Sequence, residues 1–132
     1  MNNKILALIK AMAQLQLDHQ ASGIDSDIEA VKDALEIDDV RTARVRIEAA
    51  SAKRKQFQKR ARRLIRAGRE EFYQIFNAIY HEAGDRGEHI KQNEVARLAV
   101  NIMNVPTKRP DPSDLLPFLK ASQFLIRHYH KP

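Results

Sequence analysis

From Val40 to Ala83 the apolar residues keep one helical phase without a break. At about 100° per residue with Val40 at zero, Val40, Ala43, Ile47, Ala50, Phe57, Ala61, Leu64 and Ile65 fall between roughly 240° and 360°. Phe72, Ile75, Phe76, Ile79 and Ala83 continue in phase, and Gly68 lies on the same stripe. Glycine inside a helix costs about 1 kcal/mol against alanine, so a kink near Gly68 is the alternative. A loop, however, does not preserve phase. The pattern predicts one helix over 39–83, roughly 65 Å long, with shorter helices packed on its stripe. Ala43, Ala50, Ala61 and Gly68 leave room for a partner helix to approach closely.

The flanking segments read as helices too. The first runs from Asn3 to about Gln20, with Ile5, Leu8, Ile9, Met12 and Leu15 on one face. Asn2 or Asn3 can cap it, and Ser22-Gly23 ends it. A second starts at Ser26, where Ser26-x-x-Glu29 has the form of a capping box. Ile28, Val31 and Leu35 give it one apolar edge. Residues 1–37 then form an acidic helical hairpin, and Asp38 and Asp39 break it and offer the next N-cap. After the Gly84-Asp85-Arg86-Gly87 stop, residues 90–132 carry the C-terminal helices. One spans Ile90 to about Asn104, with Val95, Leu98, Ala99 and Ile102 inward. A proline-punctuated connection, 105–112, leads to the last, capped by Asp111 or Ser113. Its core candidates are Leu115, Leu116, Phe118, Leu119, Leu125 and Ile126, and Pro117 is tolerable only in a first turn. Four Gly and five Pro are too few for the turns of an all-β chain, and no segment alternates at strand period. The expectation is an all-α class: a single-domain helical bundle of 132 residues built around one long basic central helix.

Charge is where this sequence speaks to function. Residues 1–40 are net −5, residues 41–69 are net +11 with Glu48 their one acid, and residues 70–132 are neutral. Closely spaced cations on a rigid rod suit a polyanion, because each neutralised phosphate releases condensed counterions. The candidate nucleic-acid-binding residues are Arg41, Arg44, Lys53, Lys55, Lys59, Arg60, Arg62, Arg63, Arg66 and Arg69. Tyr73 and Tyr80 project on the same side as Arg62, Arg66 and Arg69. Aromatics flanked by cations are what single-stranded nucleic acid and RNA binding uses, since every base has a face to stack. The competing reading is a solvated helix face paired to the acidic first 40 residues. Those acids, Asp25, Asp27, Glu29, Asp33, Glu36, Asp38 and Asp39, serve first as helix caps and favourable charges at helix amino termini. Alternatively they dock on the basic face of a neighbouring copy or another subunit.

Other chemistry finds little support. With no Cys, disulfides, thiolate catalysis and Cys-based zinc sites are excluded, and a reducing, cytoplasmic setting is expected. No apolar run approaches the roughly 20 residues of a membrane span, and Met1-Asn2-Asn3-Lys4 lacks the build of a signal peptide. His81 and His89, and His128 with His130, are the histidine clusters, and neither has further ligands at metal-site spacing, so no metal and no cofactor are expected. Gln92 to Ala99 looks like the first helix of a helix-turn-helix, but Val100 stands where the turn wants a small residue and Val105-Pro106 where a recognition helix should begin. There is no Gly-rich phosphate loop, nucleophile motif or paired-carboxylate signature.

In size, helicity and basic face the chain resembles the small helical subunits of CRISPR effector complexes, and phage- and plasmid-encoded nucleic-acid accessory proteins. That likeness is one of profile and assigns no residue. The expectation is a non-enzymatic nucleic-acid-binding protein. RNA or single-stranded DNA is favoured over sequence-specific duplex, with protein subunits or a second copy as further partners and no membrane. The alternative is a protein–protein adaptor or inhibitor whose basic helix grips an acidic partner.

Overall fold

The computed structural model describes residues 3–129, and among them every element is helical. Helix α1 spans Asn3–Ala21, α2 Ile24–Glu36, α3 Val40–Asp85 and α4 His89–Met103. A 3-10 turn, Pro112–Leu115, leads into α5, Leu116–Tyr129. The protein is an all-α helical bundle.

The helix α3 runs unbroken through Gly68 for 46 residues, about 68 Å. Its start is set by Asp39, whose carboxylate accepts from the Thr42 N–H at 3.1 Å and from the Thr42 hydroxyl at 2.6 Å. The shorter helices line up along it. Helix α2 packs on its first third, α1 on the middle, and α4 on the last third, while α5 closes across α1 and α4. Gly68 sits where these layers meet. A Cβ there would stand 2.8 Å from Met12 Cε and 2.9 Å from Phe118 Cε1. The missing side chain is therefore what lets α1 and α5 reach the α3 backbone.

The core is continuous through the C-terminal two-thirds of α3. Phe57, Ala61, Ile65, Phe72, Phe76 and Ile79 meet Ile5, Met12 and Leu15 of α1, Val95 and Ile102 of α4, and Leu115, Phe118 and Phe124 at the C-terminal end. Phe118 sits edge-on to Phe72 and Phe124 edge-on to Phe76, with centroids 5.7 and 5.9 Å apart, a geometry the aromatic quadrupole favours.

Three expectations need correction. Helix α2 begins at Ile24 rather than Ser26, because Gly23 adopts φ 75°, turns the chain, and accepts the Asp27 N–H on its carbonyl. Ser26 thus lies inside the first turn and the Ser26–Glu29 capping box does not form. Val40 and Ile47 of the stripe are exposed, as are Ile28 and Leu35 of α2, because α2 alone is too narrow to cover this end of α3. Leu116 and Ile126 face solvent, with Ala121, Phe124 and Leu125 holding the core positions of α5 instead. Of the two caps expected for the last helical segment, Asp111 is the one used, in a box with Asp114 that opens the 3-10 turn. Residues 104–111 are non-helical, so no second helix follows α4 at helix-turn-helix spacing.

Candidate nucleic-acid interface

The angular position of each cation on α3 decides its partner. Arg46, Lys53, Arg54 and Arg60 fall between roughly 200° and 320° on the wheel that places Val40 at zero. That side looks toward α1, α2 and the 3-10 turn, and each of the four finds an acid there. Lys53 Nζ lies 2.6 Å and Arg46 Nη1 3.1 Å from the two oxygens of Asp27. Arg60 meets Asp18 at 3.0 Å and Arg54 meets Asp111 at 3.2 Å. Asp27 is buried on the face of α2 that packs against α3, beside Ile24 and Ala34. A buried charge needs partners. The Lys53 ammonium, backed by the Arg46 guanidinium, holds the Asp27 carboxyl below the usual carboxylate range despite the opposing cost of burial. Asp18 is lowered likewise, by Gln14 first and Arg60 next.

Three expected interface residues have partners within the chain. Lys53 and Arg60 are tied to the acidic hairpin, and Arg69 turns inward to donate to the Val105 carbonyl in the 104–111 connection. All three link α3 to another segment of the chain. Asp27 carried a readable signal, a carboxylate at a helix position that otherwise wants an apolar residue. Arg46 and Arg54 had no such signal, and only their neighbours assign them.

The other seven stay free. Arg41, Arg44, Lys55, Lys59, Arg62, Arg63 and Arg66 lie between about 40° and 140° on the same wheel. Among the described residues none of them makes an ion pair. Glu48 and Glu70 interrupt the row. The densest part is Lys59, Arg62, Arg63 and Arg66, four cations within two turns lining an open depression of about 300 Å³. Among the described residues the buried Arg62 Nε has no hydrogen-bond partner.

The tyrosines extend this face. Lys59, Arg66, Tyr73 and Tyr80 stand seven residues apart, so they form one row that drifts by only about 20° per step. Tyr73 is 51% exposed and Tyr80 38%, and both lie outside the core. Tyr80 packs edge-on to His81 at 5.7 Å, while its backbone carbonyl accepts from the Gln92 amide at 3.3 Å.

No protein-family model, curated protein or solved structure matches this chain. The face must be read from its own chemistry. Among the described residues no three His, Asp or Glu side chains converge as a metal site, and His130 lies outside those residues. Among them, too, no helix is long and apolar enough to cross a membrane.

Proposed function

We infer that this is a non-enzymatic, cytoplasmic nucleic-acid-binding protein, with RNA or single-stranded DNA favoured over sequence-specific duplex. The observation that carries this is the partition of cations on α3. The acids of the chain neutralise one side of the helix and leave seven cations on the other, where solubility alone needs no such single-sign field. Lys59, Arg62, Arg63 and Arg66 contact phosphates, helped by Arg41, Arg44 and Lys55. Tyr73 and Tyr80, two turns apart on the same row, offer stacking faces beyond the phosphate cluster. A small subunit of a nucleoprotein complex, CRISPR effector or phage and plasmid assemblies included, fits this surface.

Titration of the purified protein against a short single strand and a matched duplex across a salt series tests it. With four to seven phosphates neutralised, log K for the single strand should fall against log salt with a slope of about −3 to −5. The variant with Lys59, Arg62, Arg63 and Arg66 all changed to Gln should flatten that slope by about three and keep its melting temperature within a few degrees, since exposed charge changes rarely exceed about 0.5 kcal/mol each. Salt-independent binding, or an unchanged slope in the variant, refutes the reading. Binding of an acidic protein in place of either nucleic acid supports the adaptor alternative.

A further inference from the structure

The amino-terminal third of the bundle leaves an apolar groove uncovered. Its walls are Ile28 and Leu35 of α2, 44% and 53% exposed, and Val40 and Ile47 of α3, 64% and 52% exposed. Between the helices a cleft of about 310 Å³ is lined by Ile24, Ile28 and Val31 of α2 and by Ile47, Ala50, Ser51 and Arg54 of α3, with Leu35 and Val40 outside this lining. Exposed aliphatic side chains grouped at one end of a bundle are the kind of surface that marks a contact site. Farther along α3 the same stripe is closed by other helices, so here it stops one layer short.

Charges flanking the groove say what covers it. Asp27 reaches both Arg46 and Lys53, so it stands level with about residue 49 or 50 of the antiparallel α3. Counting outward at equal rise places Glu36 level with Arg41 and within a turn of Arg44, Lys32 level with Arg44 and within a turn of Glu48, and Asp25 midway between Glu48 and Lys55. With Ile24 at zero, Asp25, Lys32 and Glu36 lie at about 80–120°, on the outer rim of α2 beyond Ile28 and Leu35. On α3, Arg41, Arg44, Glu48 and Lys55 form the opposite rim at about 40–100°. Along the α2 rim the signs run minus, plus, minus. Taken whole, the α2 rim is acidic, two carboxylates to one lysine, and the α3 rim is basic, three cations to one glutamate. Of these seven, Lys32 alone makes an ion pair among the described residues, an exposed one with Glu29 at 3.4 Å, and exposed pairs of that kind are weak.

We propose that this groove is a self-association surface, on which two copies pack their α2–α3 faces about a two-fold axis parallel to the helices. That operation keeps the level along the helix and exchanges the two rims. The α2 rim of each copy then lies over the α3 rim of the other, so an acidic rim meets a basic one, twice over, with Glu36 over Arg41 the closest match in level. The perpendicular in-plane two-fold would stack α2 on α2 and lay acid against acid at its ends. An isologous contact of this kind closes at two copies. The patch is small beside the roughly 800 Å² per partner of a standard interface, so the dimer is a dissociable one. Lys59, Arg62, Arg63 and Arg66 lie beyond the covered segment and stay open in it, whereas Arg41, Arg44 and Lys55 are taken up by the second copy and help on phosphates only in the monomer.

The full chain is followed by sedimentation velocity at low salt, at loadings from about 1 to 100 µM to bracket a contact of this size. Wild type should pass from monomer to dimer across that range. Glu36→Lys should be monomeric, and so should the double variant Arg41→Glu, Arg44→Glu. Each change puts cations near the last turn of α2 or anions near the first turn of α3, which helix dipoles favour, so matched melts will show both folded. Mixed in equal amounts, the two variants should dimerise again, because both rims of the mixed pair regain opposite signs. Combining all three changes in one chain should restore a homodimer as well. A wild type that stays monomeric overturns the proposal and points to another protein's helix in the groove. A dimer indifferent to the variants, or one that mixing fails to restore, overturns the parallel two-fold.

Discussion

Gly68→Ala should destabilise this protein although alanine is the better helix former. In an exposed helix interior the change would gain about 1 kcal/mol. Here the added methyl would stand 2.8 Å from Met12 Cε, 2.9 Å from Phe118 Cε1 and 3.2 Å from Phe118 Cδ1. Met12 ends in a flexible thioether and can give way. Phe118 cannot do so freely, for it is fully buried and braced against Phe72. Overpacking of a tight core costs about 1–3 kcal/mol, which offsets the propensity gain and leaves a net loss of up to about 2 kcal/mol. At about 4 °C per kcal/mol for a chain this size, the melting temperature should drop by as much as about 8 °C. Gly84→Ala is the internal control. Its Cβ meets only the Gln92 side chain, at 2.6 Å from Nε2, and the cost of turning that exposed amide aside is its single hydrogen bond to the Tyr80 carbonyl. Gly84→Ala should therefore be neutral or slightly stabilising, and Gly68→Leu far worse than Gly68→Ala. Thermal melts of the three variants by circular dichroism make the comparison. If Gly68→Ala melts above wild type, the close approach of α1 and α5 at this point is wrong.

Other outcomes follow from the divided helix. Arg69→Met removes the donor to the buried Val105 connection, so it should cost about 1–3 kcal/mol of stability and leave the nucleic-acid affinity of the folded protein unchanged, as melts and titrations will show. Tyr73→Ala and Tyr80→Ala should do the reverse, each weakening single-strand binding by about 1–3 kcal/mol with little change in melting temperature. Equal loss on single strand and duplex would reject stacking. The stability contributed by Asp27 is complete above its unfolded pKa of about 3.9 and is lost as pH falls through its lowered folded value. Asp27→Asn should hence melt below wild type at pH 7, and the gap should narrow as the pH approaches 3. A gap independent of pH would mean that Asp27 acts by packing and not by charge.

Phase and charge blocks along the chain were enough to define α3, its passage through Gly68, the all-α class and the concentration of cations on residues 41–69. These are local properties. A helix repeats every 3.6 residues wherever it sits, so an apolar stripe from Val40 to Ala83 specifies its own continuation. What the sequence could not divide was the basic face. Lys53 and Arg60 look like Lys55 and Arg62 in composition and spacing, and a difference of roughly 160° around one helix separates those that meet the hairpin from those that stay free, while Arg69, about 20° from Arg62 on the same wheel, reaches the Val105 carbonyl instead. That outcome depends on where Asp18, Asp27 and the Val105 carbonyl come to lie, 26 to 42 residues away along the chain. The exposure of Val40 and Ile47 has the same origin. Their phase is that of Phe72 and Phe76, but burial belongs to the neighbours, and at that end of the rod α2 stands alone.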